Sequence, residues 1–171
     1  MRTLTAASVI FALLAVASGA QASSFCDALD KAAASAAFGF ATVRGPVDAA
    51  AHTSSFEVYR TKVALTGATA CSVSVPHSPG LGPVTYACDF AGGIDVARAM
   101  DRLVRRTARC AHVSVGNPPR LKTGPEGPTF GFENDKARFD FSAAKADGKA
   151  GLWTVTGSIA KGSHPPRRPA A

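Results

Sequence analysis

The four cysteines constrain the fold of this chain more than any other feature. The reason is that the N-terminal residues are predicted to be an export leader, and export would place the cysteines in an oxidising compartment. Met1-Arg2 gives a positive start, a short apolar run extends from Val9 to Val16, and Ala20–Ala22 (AQA) forms a small-residue cleavage site. In an oxidising compartment, an even number of cysteines is expected to form disulfide bonds. The sequence therefore predicts a disulfide-stabilised bacterial protein that is periplasmic or secreted.

The chain divides into three segments of different composition. Residues 1–22 are predicted to be a signal peptide, residues 23–160 a single α+β domain, and residues 161–171 a disordered basic tail rich in proline and arginine. Neither the apolar run of the leader nor any later one is long enough for a permanent membrane span, so no integral span is expected.

Two segments have the apolar periodicity of amphipathic helices. Ser24 is expected to cap the first helix with Asp27 as its capping-box partner, and Gly39 is expected to end it. The second helix is predicted over residues 95–111. The apolar faces consist of Phe25, Leu29, Ala32, Ala36 and Phe40 in the first helix, and of Val96, Met100, Leu103, Thr107 and Cys110 in the second.

A β-hairpin is predicted where residues 71–75 fold back on residues 84–88 across a Gly/Pro-rich turn. The facing pairs, which share one face of the hairpin, are Cys71 with Cys88, Val73 with Tyr86, and Val75 with Val84. Further strands are predicted over residues 56–65, 112–115, 129–132, 137–142 and 152–159. Asp147-Gly148 marks a turn before the last of them.

This order of elements predicts an α+β fold. We expect an antiparallel β-sheet with two α-helices packed on one face, in the order α-βββ-α-β(βββ), stabilised by disulfide bonds. A duplicated helix-plus-hairpin unit would give a similar order, but the identity between the two halves is too low to establish a repeat.

Four cysteines allow three disulfide pairings. The facing positions in the hairpin favour Cys71–Cys88, which leaves Cys26 at the start of the first helix and Cys110 at the end of the second. Antiparallel helices on one face of the sheet would bring these two ends together. In the alternative, Cys71 and Cys88 both point into the core and bond to the helix cysteines. The wide spacings contain no Cys-x-x-Cys pair, so a cysteine metal site is not expected.

Positive charge is concentrated in two places on an otherwise neutral chain. Of the formal net charge of +7, the second helix contributes +3 and the tail from Lys161 another +3. The cationic side chains of the helix lie opposite its apolar face, and we call them the arginine face: Arg98, Arg102, Arg105, Arg106 and Arg109. These guanidinium groups are the candidate site for an anion or an acidic partner.

Two interpretations of the arginine face are open. It could bind an acidic protein or an anionic envelope polymer, or it could be the ordinary solvated side of an amphipathic helix. Aromatic residues do not interleave with the arginines, so nucleic acid is not expected as a partner.

No catalytic residue, metal site or cofactor is predicted. The four histidines are scattered along the sequence, without a close partner: His52, His77, His112 and His164. Nothing resembles a nucleophile elbow, a phosphate loop or a zinc-binding helix.

The leading interpretation is a small exported non-enzymatic binding protein with an inhibitor, immunity-type or envelope accessory role. The alternative is a surface-associating protein held on an anionic envelope polymer by the arginine-rich helix and the tail. A third interpretation is a small hydrolase whose site is assembled in space from distant residues.

Overall fold

The structure is a computed structural model that describes residues 24–116, 121–124, 127–145 and 153–162. Along the chain, an α-helix followed by four β-strands occurs twice. The elements are α1 (Phe25–Ala36), β1 (Arg44–Val47), β2 (Phe56–Thr61), β3 (Ala70–Pro76), β4 (Thr85–Gly93), α2 (Val96–Cys110), β5 (Lys122–Gly124), β6 (Gly127–Glu133), β7 (Ala137–Lys145) and β8 (Trp153–Lys161). The α+β class is confirmed, as is the presence of two disulfide bonds.

The eight described strands form one antiparallel sheet in the order β1-β2-β3-β4-β8-β7-β6-β5. Each half of the sheet is a meander of four consecutive strands, and the halves join where β4 pairs with β8. Both helices contact the three strands around this junction, β4, β7 and β8. The centre of the sheet is therefore built from strands that are distant in sequence.

The first helix begins and ends as its residues predict. Asp27 N donates to Ser24 Oγ at 3.1 Å, and Ser24 N donates to Asp27 Oδ2 at 3.2 Å, which completes the capping box. Gly39 has φ +59°, a left-handed conformation in which glycine is free of strain, and Phe40 N donates back to Ser35 O at 2.8 Å. The capping box and the glycine stop are both confirmed.

The second helix has the predicted extent, but the strand predicted after it at residues 112–115 is wrong. Asp95 caps the N-terminus by accepting from Arg98 N at 3.0 Å. At the other end His112 adopts φ +55°, and Val113 N donates to Ala108 O at 2.9 Å. This is the geometry of a Schellman motif, in which the amides after the helix bond to its last carbonyls. The backbone here is used to end α2 and does not join the sheet.

The predicted hairpin is present as β3 and β4, with the expected register. Cys71 lies opposite Cys88, and Val73 lies opposite Tyr86. Disulfide bonds join Cys71 to Cys88 across the hairpin and Cys26 to Cys110 between the two helices.

The core lies between the helices and alternate residues of the central strands. The largest fully buried side chains of the strands form one cluster with Leu29, Met100 and Val104 of the helices. They are Val73, Tyr86, Cys88, Phe139 and Val155. Tyr86 Oη donates to Val63 O at 2.8 Å, and burial raises the pKa of the Tyr86 phenol well above its ordinary value. The phenol therefore stays neutral and hydrogen-bonded inside the core.

The remaining strand predictions are confirmed in type and differ in extent. The segment 56–65 forms a shorter strand, β2, while β6, β7 and β8 each extend beyond the predicted bounds. The predicted order has three strands before the second helix and does not include β1, because Gly45 and Pro46 are poor strand formers. It does not include β5 either, which lies in a proline-rich segment, so the four strands after α2 agree with the prediction in number but not all in position. An edge strand tolerates proline. The leader, the Asp147-Gly148 turn and the tail beyond Gly162 lie outside the described residues.

Candidate functional site

The arginine face is solvent-accessible along α2, but part of it already has intramolecular partners. Arg98 Nε lies 3.3 Å from Asp95 Oδ2. Arg105 Nε donates to both carboxylate oxygens of Asp101, at 2.9 and 3.0 Å. Ion pairs on an open surface are weak, so these two contacts orient the guanidinium groups more than they stabilise the fold.

Arg106 has a structural role at the junction of three elements. Its guanidinium carbon lies 4.0 Å from the centre of the Phe25 ring, a cation–π contact between α2 and α1. Its Nη1 also donates to Thr66 O at 3.2 Å, in the segment between β2 and β3. A residue of the predicted binding face therefore contributes to packing.

Arg102 and Arg109 are the part of the arginine face that remains available. Both are exposed, and neither has an ionic or hydrogen-bond partner within the part of the chain that the structure describes. They lie two helical turns apart, which separates their Cα atoms by about 10 Å. Among the described residues, the arginine face thus presents two cations without a partner on one side of α2.

A second candidate surface is the polar face of the sheet, opposite the core residues. Between buried neighbours, β7 places Asp140 and Ser142 on this face, and β8 places Thr156 and Ser158 there. An open cavity of about 570 Å³ lies over this region and extends to Lys122 and Glu133. We call it the sheet-face cavity, and it is lined by Lys122, Thr129, Phe130, Gly131, Phe132, Glu133, Arg138, Asp140, Phe141, Ser142 and Ser158.

The floor of the sheet-face cavity is held by a bidentate ion pair. Arg138 Nε donates to Asp140 Oδ2 at 2.8 Å, and Arg138 Nη2 donates to Asp140 Oδ1 at 3.0 Å. Gly131 on the neighbouring strand leaves the space for this arrangement, because a Cβ atom there would lie 2.7 Å from Asp140 Oδ1. Ser158 Oγ donates to the backbone oxygen of Asp140 at 3.3 Å. These contacts orient the side chains of Arg138, Asp140 and Ser158 on the cavity floor.

The structure also brings together two histidines that are far apart in sequence. The rings of His52, which precedes β2, and His77, which follows β3, have centroids 5.3 Å apart with 63° between their planes. Both side chains are exposed. The antiparallel pairing of β2 with β3 explains the contact, because it places the segment before β2 beside the segment after β3. Spacing along the sequence carries no signal for such a pair.

Two kinds of site are not found in the described segments. Among these residues no group of three or more His, Cys, Asp or Glu side chains could hold a metal ion. The same part of the chain contains no helix of the length and hydropathy needed to cross a membrane. All four cysteines are in disulfide bonds.

No protein-family model, no curated protein and no solved structure matches this chain.

Proposed function

We propose that this protein is a small exported binding protein whose main contact surface is the polar face of the sheet. In this proposal both helices cover the opposite face of the sheet, and the partner binds the polar face. The supporting observation is the sheet-face cavity, whose volume of about 570 Å³ is in the range of ligand-binding clefts. An inhibitor, an immunity-type antagonist or an envelope accessory protein would use such a surface.

The chemistry of the cavity favours a partner with hydrogen-bonding groups. Its hydroxyl groups come from Thr129, Ser142 and Ser158, whereas the phenylalanine side chains of β6 and β7 pack on the core side of the sheet. Lys122 and Glu133 add one charge of each sign. Polar side chains that are already oriented by hydrogen bonds lower the entropy cost of binding, because fewer of them need to be ordered.

Ser142→Trp is expected to block the sheet-face cavity. Ser142 is exposed and lines the cavity, so the indole would occupy the space of a partner while the fold keeps its stability within about 0.5 kcal/mol. Capture of binding partners from the envelope fraction by the immobilised protein should fall by about tenfold or more. The readout is the amount of each captured component, measured by quantitative mass spectrometry.

Ala91→Trp is the matched control for this variant. Ala91 is also exposed and lies opposite Thr154, but it does not line the cavity. The control should capture the same components as the wild type. Equal capture by wild type and Ser142→Trp would rule out the sheet-face cavity as the contact surface.

An alternative function is association with an anionic envelope polymer through α2. The observation that favours it is the pair of exposed arginines, Arg102 and Arg109, without a partner among the described residues. The basic tail begins at Lys161, which is the last residue of β8. Its positive charges would add to the same interaction.

Arg102→Gln combined with Arg109→Gln tests this alternative. Retention on an anionic matrix at low salt should decrease, and its dependence on salt should become less steep, because fewer charges are neutralised on binding. The control, Lys62→Gln with Lys136→Gln, removes the same charge from two other exposed positions. If both double variants elute at the same salt concentration, only net charge matters and the arginine face is a solvated surface.

A further inference from the structure

We propose that His52 and His77 form a binding site for Zn²⁺, in which the protein supplies two imidazole ligands and two coordination positions remain open. Water or a group from a partner would fill the open positions. The proposal does not depend on the sheet-face cavity or on the arginine face.

The distance between the two ring centroids agrees with that of two imidazoles bound to one tetrahedral metal ion. A Zn–N bond of about 2.0–2.1 Å places the metal about 3.2 Å from the centroid of each imidazole ring. With a tetrahedral angle at the metal, the two centroids would be about 5.2 Å apart. The observed centroid distance is 5.3 Å.

Hydrogen bonds hold the His77 backbone and the residue next to His52 at the ends of β3 and β2. His77 N donates to Ser55 O at 3.0 Å, which continues the pairing of β2 with β3 up to the histidine itself. On the other side, Thr53 Oγ1 accepts from Phe56 N at 3.0 Å and from Ser55 N at 3.3 Å, so the residue next to His52 is part of a closed turn. The metal would therefore bind two segments that already lie together, and little chain entropy would be lost.

The site has an open coordination sphere. Within the described segments no third His, Cys, Asp or Glu joins the pair in a metal-binding cluster. Structural zinc sites use four protein ligands, whereas sites that exchange ligands keep at least one position open. This chemistry fits reversible capture of a metal ion, or a zinc bridge to a ligand on a partner.

Isothermal titration of the oxidised mature chain with Zn²⁺ tests the proposal. We expect one saturable site, with an affinity that falls about tenfold or more in His52→Ala and equally in His77→Ala. Both side chains are exposed, so circular dichroism should show an unchanged fold. In ¹H NMR spectra, sub-stoichiometric Zn²⁺ should shift or broaden the ring signals of His52 and His77 together.

His112→Asn is the matched control. His112 is exposed and has φ +55°, a conformation that asparagine tolerates, so the substitution removes a histidine without straining the backbone. This variant and His164→Ala should bind Zn²⁺ as the wild type does. The proposal is overturned if His52→Ala and His77→Ala retain wild-type affinity, or if no saturable site is found.

Discussion

Removing the Cys26–Cys110 disulfide by a double substitution to alanine is expected to lower the free energy of unfolding by about 4.5 kcal/mol. The bond links residues 84 apart in sequence and joins the start of α1 to the end of α2. Without it the unfolded chain gains the entropy of a long open loop. A loss of this size is a large part of the stability of an ordinary domain, so we expect partial unfolding at 37 °C. Urea denaturation followed by circular dichroism measures it.

The second disulfide provides the comparison. Cys71 and Cys88 are 17 residues apart, so their replacement by alanine should cost less, about 3 kcal/mol. Peptide mapping under non-reducing conditions should first show both pairs in the oxidised protein. If the Cys26–Cys110 variant unfolds at the same urea concentration as the wild type, the bond does not constrain the unfolded chain.

Phe139→Ala is expected to lower the free energy of unfolding by about 3–5 kcal/mol. The side chain is 1% exposed, and its ring is stacked on Phe132 with centroids 5.0 Å apart. Phe139 belongs to β7, which pairs with the central strand β8 and contacts both helices. Truncation would leave a cavity between the sheet and the helices, where the surrounding structure has little freedom to collapse. Thermal and urea denaturation give the value.

Phe38→Ala is the matched control, since it deletes the same atoms from a side chain that is 73% exposed. Its effect should stay within about 0.5 kcal/mol. Similar losses for the two variants would show that Phe139 does not belong to the cooperative core.

The local features of the fold could be derived from the sequence, because they depend on residues a few positions apart. The capping box of Ser24 and Asp27 and the left-handed Gly39 after α1 each follow from residues within one helical turn. The β3–β4 register followed from matching two short strands across a turn, since a shift by one residue would move Val73 and Tyr86 out of the core.

Two of the differences between the predicted and the observed strands have the same cause. His112–Val115 has strand-forming residues, and Arg44–Val47 has residues that disfavour strands, yet only the second segment joins the sheet. In both cases the hydrogen-bond partners of the backbone decided the outcome. The amides after α2 bond to its last carbonyls, while β1 pairs with the free edge of β2.

The candidate sites depend on contacts that no local pattern records. The sequence identified the arginines and the apolar face of α2, because helical periodicity separates them. It could not show that Arg106 lies on Phe25, nor that antiparallel pairing brings His52 beside His77. Helix periodicity and turn chemistry act over a few residues, whereas these contacts arise when strands and helices distant in the chain pack together.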